Sequence, residues 1–176
     1  MRRVVIIVVS VVLGIALLSR MMTYTVRFTE AAVRTTFGKA TEADVQRDAG
    51  IKFKWPDPIQ SVTKYDTRSR FLQTQSETQQ TADNRQLVVE AFCTWKVTDP
   101  LKFFQRFSNA GDKSSDHYKK AEEVLRGSLR SAMGEISKYR LSDLFTSAAT
   151  PSKLPELENK VLSTLKAASQ DGASLA

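Results

Sequence analysis

The chain has 176 residues, with 26 Lys and Arg against 19 Asp and Glu, a formal charge of +7, and a single His and a single Cys. One cysteine excludes an internal disulfide scaffold, and one Cys with one His excludes a Cys/His zinc site; no repeat, glycine-rich phosphate loop or low-complexity tract is present. Three of the basic residues (Arg2, Arg3, Arg20) fall in the first 22 positions, leaving 23 basic against 19 acidic in the remainder, a mixed surface without the basic stripe of a nucleic-acid reader.

The leading segment is the most one-sided part of the chain. Arg2 and Arg3 precede an uncharged run from Val4 to Ser19, closed by Arg20, Met21 and Met22. As a helix it is ~28 Å long, close to the ~30 Å of a bilayer core. Residues 1–22 are therefore read as a membrane anchor, with Val4, Ile7, Val11, Ile15 and Leu18 facing lipid and Arg20 snorkelling to the headgroups. The core exceeds the ~7–15 residues of a cleaved signal peptide, and no small-residue cleavage site follows it. Arg2 and Arg3 favour a cytoplasmic N-terminus and an exported body.

Residues 23–98 read as strands. Tyr24, Val26 and Phe28 alternate, then Val33, Thr35 and Phe37, with Thr29-Glu30-Ala31 as the bend and Gly38 as the stop. After the turn at Asp48-Ala49-Gly50, Ile51, Phe53 and Trp55 alternate with Lys52 and Lys54, and Pro56-Asp57-Pro58 ends the run because neither proline donates to a ladder. Another extended stretch covers about Ser61 to Thr74. From Leu87 to Val97 every odd position is apolar, the pattern of a half-buried strand, with Gln79–Thr81 as its hairpin partner across Asp83-Asn84.

Residues 99–176 read as helices. Asp99-Pro100 is a helix start, cap followed by proline, opening a short helix with Leu101, Phe103, Phe104 and Phe107. The three rings read as core more than as contact surface; Phe103 and Phe107 share a face and Phe104 flanks it, which leaves one ring to meet a neighbouring subunit. After Asn109–Asp112 the longest helix starts near Ser115 or Asp116, with Tyr118, Ala121, Leu125, Leu129, Ala132, Met133 and Ile136 in steps of three and four. Ser142 caps a turn through Leu144 and Phe145. Pro155 opens a last helix carrying Leu157, Val161, Leu165 and Ala168, and Ser169–Ala176 reads as a loop leading onward. Strands first and helices after imply an α+β domain, helices packed on a mostly antiparallel sheet.

Chemistry is sparse. His117, between Asp116 and Tyr118 at a helix start, reads as a solvated surface residue and not as a base. Cys93 shares a face with Leu87, Val89 and Trp95, so it reads as packing; an apolar site keeps a thiol inert. No nucleophile elbow singles out a serine, so no catalytic, metal or cofactor site is expected. The Trp55-Pro56-Asp57-Pro58-Ile59 segment supports two readings. In one, Trp55 ends a core strand. In the other, Trp55 and Ile59, flanked by Lys52 and Lys54, sit at the headgroup boundary, where tryptophan and lysine concentrate.

One family resemblance runs the length of the chain. After the anchor, Val26, Glu30 and Val33 lead into Phe37-Gly38-Lys39; then come Gly50-Ile51-Lys52-Phe53-Lys54-Trp55-Pro56, Val62 with Asp66-x-Arg68, Thr81-Ala82-Asp83 and Trp95-Lys96-Val97-Thr98-Asp99-Pro100. Ala121 to Ile136, with Arg126, Arg130 and Glu135, matches in kind the long helix that follows. This order resembles the SPFH (band 7, prohibitin-homology) family, most closely its bacterial HflC branch. Phe28-Thr29-Glu30-Ala31 lacks the glycine usual in the first turn, and the sequence is expected to be cut before the family's further strand and long coiled-coil helix.

The resemblance implies an SPFH/band 7-like domain and a non-enzymatic scaffold. It implies assembly with an HflK-like subunit into large membrane complexes that modulate an FtsH-type AAA protease, with membrane lipid and no nucleic acid among the partners. It also implies a single pass through the bacterial inner membrane, body on the periplasmic side. The alternatives from the residues are a membrane-anchored exported hydrolase and a monomeric lipid- or peptide-binding domain.

Overall fold

In the computed structural model, residues 2–145, 151–169 and 173–175 are described. Helix α1 (Arg2–Met22) is long and apolar enough, over Arg3–Met22, to cross a membrane, with a mean hydropathy of 2.6. Val4, Ile7, Val11 and Ile15 are all exposed, as a lipid-facing helix requires; the side chain of Leu18 lies outside the described residues. Strand β1 (Thr23–Val26) starts at the next residue. Thr23 Oγ1 donates to Ser19 O at 3.1 Å, occupying one of the last-turn carbonyls that a helix end leaves open.

The chain forms two compact units, Met1–Thr67 and Arg68–Ala176. The boundary lies well before the 98/99 change from strands to helices read from sequence. It splits the stretch expected to run from Ser61 to Thr74 into two strands that belong to different units.

In the first unit the central strand is β2 (Glu30–Thr36), flanked by β3 (Val45–Gln46) and, after β4 (Gly50–Phe53), by β5 (Gln60–Asp66). The β2–β5 register runs antiparallel from Glu30↔Asp66 to Thr36↔Gln60. Ala31, Ala32 and Val33 are successive and all buried, so β2 is covered on both faces. The expected bend at Thr29–Ala31 sits earlier: Glu30 N donates to Arg27 O at 3.0 Å, and Phe28, expected in a strand, is 95% exposed in that turn. β1 does not pair with β2. It forms a separate two-stranded ribbon with β4, in register from Thr23↔Phe53 to Val26↔Gly50.

The second unit contains β6 (Arg70–Gln73), β7 (Glu77–Gln80), β8 (Gln86–Val89), β9 (Phe92–Val97), α2 (Pro100–Phe107), α3 (Ser114–Met133), α4 (Leu141–Leu144), α5 (Leu154–Ser169) and β10 (Ala173–Leu175). The order β10-β9-β6 makes an antiparallel sheet, and β7-β8 the expected hairpin. The eleven-residue strand expected from Leu87 to Val97 is two strands, interrupted at Glu90-Ala91. There the Thr74 hydroxyl replaces a ladder partner, accepting from Ala91 N at 3.1 Å while Thr74 N donates to Ala91 O at 2.9 Å. The alternation survives the interruption: Trp95 and Val97 are buried, whereas Val88 and Phe92, the off-phase apolar residues, are exposed.

Helix α2 starts as its sequence dictates, with Asp99 Oδ1 accepting from Leu101 N and Lys102 N at 3.1 and 3.2 Å. It delivers Phe103 onto Trp95, ring centroids 6.2 Å apart. The Arg70 guanidinium lies 3.7 Å above the Tyr118 ring. Phe104 packs edge-on against His117 at 6.0 Å within the unit. Ser142 falls inside α4, which is closed instead by Asp143 accepting from Arg140 N. The tail expected as a loop contains β10, antiparallel to β9 from Ala173↔Val97 to Leu175↔Trp95; residues 170–172 and 176, and the side chain of Ala168, lie outside the described residues.

Candidate membrane-interface site

The apolar residues of β4 face outward. Ile51, Phe53 and Trp55 are 77%, 54% and 54% exposed, and Ile59 is also exposed. The reading of Trp55 as the end of a core strand is therefore corrected: no layer covers this face of the ribbon within its unit. Phe53 and Trp55 meet edge-on at 6.3 Å.

The ribbon's register carries this surface to the end of α1. Thr23 is opposite Phe53, and Lys54 N donates to Met22 O at 2.8 Å. The backbone just before Trp55 is thus bonded to the last residue of the bilayer-length helix. If α1 spans a membrane, Trp55 stands at its boundary.

A second element reaches the same place. Thr36 and Lys39 exchange backbone hydrogen bonds of 2.8 and 3.0 Å around Phe37 and Gly38, both with positive φ (49° and 77°). That is the primed turn suited to a two-residue hairpin loop. Glycine adopts it freely, but a phenylalanine there is unusual and points to a role for the ring. Phe37 N donates to Ile59 O at 3.0 Å and the ring is 75% exposed. Sequence reasoning counted Phe37 as a strand residue; the signal it missed was the bulky residue directly before Gly38 in a turn of this length.

Gln60 organises both loops. It is buried; its Oε1 accepts from Trp55 N at 2.9 Å, and its Nε2 donates to Thr36 Oγ1 at 3.1 Å. Ile59 N donates to Pro56 O at 3.0 Å, closing the Pro56–Ile59 turn. Lys54, expected among the headgroup ligands, is turned inward: its Nζ donates to Asp57 at 2.8 Å and to Gln60 O at 3.3 Å. Lys52 is half-buried and pairs with Tyr24.

Beneath the ribbon, Arg34 holds Asp44 at 3.0 Å. The Thr41 hydroxyl, donating to Asp44 at 2.7 Å, is the main reason the Asp44 carboxyl lies below its ordinary range. Burial pushes the Tyr24 phenol up.

The residues considered for catalysis lie in the second unit. His117 is 1% exposed, not solvated as expected: α3 starts early enough to put it on the buried stripe beside Tyr118 and Ala121. Its Nε2 lies 2.7 Å from Gly111 O. Cys93 is half-buried and burial raises its thiol pKa. It lines an apolar groove of about 490 Å³ with Leu129, Met133, Leu157 and Val161 among its walls. No group of three or more metal-ligating side chains occurs among the described residues.

A helix long and apolar enough to cross a membrane thus leads directly into an α+β domain with an exposed apolar edge. The SPFH domain / Band 7 family profile matches residues 24–171. The chain belongs to that family, whose members associate with membranes and form oligomers. No curated protein matches the chain.

Proposed function

We propose that this protein is a non-enzymatic, membrane-anchored scaffold subunit whose first unit rests on the bilayer through Phe37, Phe53, Trp55 and Ile59. The observation that carries this reading is the bond between Lys54 N and Met22 O, 2.8 Å, which ties the uncovered apolar surface to the end of α1. Moving a ring such as Phe37 from water into an apolar environment is worth up to about 1.5–3 kcal/mol. The anchor also confines copies to two dimensions, which raises their effective concentration. In its finer form the reading is an HflC-like subunit that joins an HflK-like partner around an FtsH-type protease. The N-terminus is cytoplasmic, as Arg2 and Arg3 favour, and the body is periplasmic.

Two measurements test this. With the full chain held in vesicles by α1, quenching by brominated lipid is compared between wild type and Trp55→Phe, the difference isolating Trp55 from Trp95. Scaffold and bilayer contact together predict strong quenching of Trp55. Crosslinking in native membranes then reads assembly; a species of single-chain mass alone would remove the scaffold. That outcome would favour the second reading, a monomeric lipid- or peptide-binding domain, which the apolar groove beside Cys93 supports.

A further inference from the structure

The sequence offers Lys52 and Lys54 as the charges that would hold Trp55 to anionic headgroups, and the fold withholds both. Successive strand residues point to opposite faces, so Lys52, paired with Tyr24, lies on the face away from Ile51 and Phe53. Lys54 is bound to Asp57 and to Gln60 O, with its side chain 14% exposed. What the tip presents instead is uncharged: Phe37 at 75%, Phe53 at 54% and Trp55 at 54% exposure. Lys39 remains exposed beside Phe37, while the charge of Asp57, 63% exposed in the Pro56–Ile59 turn, is matched by Lys54.

We propose that this surface reads lipid packing and not lipid charge. It inserts its rings into bilayers whose headgroups leave gaps, and anionic lipid contributes little. The proposal rests on the bilayer contact of the preceding subsection and adds which lipids sustain it. A lysine near an anionic leaflet strengthens attachment by about fivefold, and that contribution is absent for two lysines the sequence places beside Trp55. An aromatic surface whose flanking lysines are paired or turned to the other face depends instead on exposed acyl chain, and such binding is sensitive to lipid composition.

The test uses the full chain in three kinds of vesicle: unsaturated phosphatidylcholine, the same with phosphatidylglycerol added, and tightly packed saturated phosphatidylcholine. Trp55 burial is read as the quenching difference between wild type and Trp55→Phe, at low and high salt. The expected result is quenching that changes less than about twofold with phosphatidylglycerol or salt and is lost in the saturated vesicles. Asp57→Asn, which unties Lys54, is expected to introduce a charge and salt dependence of about fivefold.

Wild-type quenching that rises severalfold with phosphatidylglycerol and falls with salt overturns the proposal while leaving the bilayer contact intact. So does an Asp57→Asn variant that stays indifferent to charge. Absence of Trp55 quenching in every vesicle overturns the bilayer contact itself.

Discussion

Trp55 and Trp95 occupy segments of the same design and end in opposite environments. Ile51-Lys52-Phe53-Lys54-Trp55 and Cys93-Thr94-Trp95-Lys96-Val97 both alternate apolar with polar residues. Yet Trp95 is 0% exposed, beneath Phe103 and Tyr118, while Trp55 is 54% exposed. A period of two states that one face of a strand is apolar. It does not state what covers that face. In the second unit α2 and α3 supply the cover; in the first, no described element covers the apolar face of the β1–β4 ribbon, and Ile51, Phe53 and Trp55 stay exposed.

The comparison is broken most directly at the tryptophans. Trp95→Ala is expected to destabilise the second unit by about 3–5 kcal/mol through cavity formation. Trp55→Ala should shift stability by no more than about 0.5 kcal/mol, as for a surface site. Denaturant unfolding of the full chain in mild detergent, followed by near-ultraviolet circular dichroism, reads both; equal losses would mean that Trp55 is a core residue after all.

Gln60→Leu comes next. Removing a buried side chain that serves Trp55 N and Thr36 Oγ1 is expected to cost about 1–3 kcal/mol. Hydrogen exchange should locate the loss at the Trp55 and Phe37 amides and spare β9. Uniform acceleration across both units would contradict a local clamp.

Asp99→Ala sharpens the contrast from the other side. Losing the cap of α2 is expected to cost about 1 kcal/mol and to loosen the cover over Trp95, seen as faster exchange at Phe103 N, with no change at Trp55.

The smallest effect is acid sensitivity, which the two units share. Asp44 is held below its ordinary pKa chiefly by the Thr41 hydroxyl, and Asp83 chiefly by the Thr81 hydroxyl. A carboxyl with a depressed folded pKa contributes stability that is present above its unfolded value, about 3.9, and lost as pH falls through the folded one. Stability should therefore hold at neutral pH and decline below about pH 4. Asp44→Asn should flatten that decline in the first unit alone, measured by unit-resolved hydrogen exchange. An unchanged pH profile in that variant would remove Asp44 as a contributor.

Much of this was legible in the residues. The helix of α1, the Asp99-Pro100 start, the stripe of α3 and the β7–β8 hairpin each rest on local patterns, and local patterns survive folding. What was not legible has a common cause. His117 was read as solvated from its charged neighbours, yet where α3 begins decides which face it joins. Lys54 was read as a headgroup ligand from its place beside Trp55, yet Asp57 and Gln60 O, brought round by the Pro56–Ile59 turn, bind it first. Phe37 looked like a strand residue until the Thr36–Lys39 turn turned it outward.

The order of residues alone thus determined an apolar leading helix, an α+β body and its SPFH character, because these depend on composition and spacing along the chain. Tertiary structure decided which apolar faces are covered and which charges are already paired. Burial and pairing depend on residues distant in sequence, and no local period encodes which of two identical-looking strands will receive a helix.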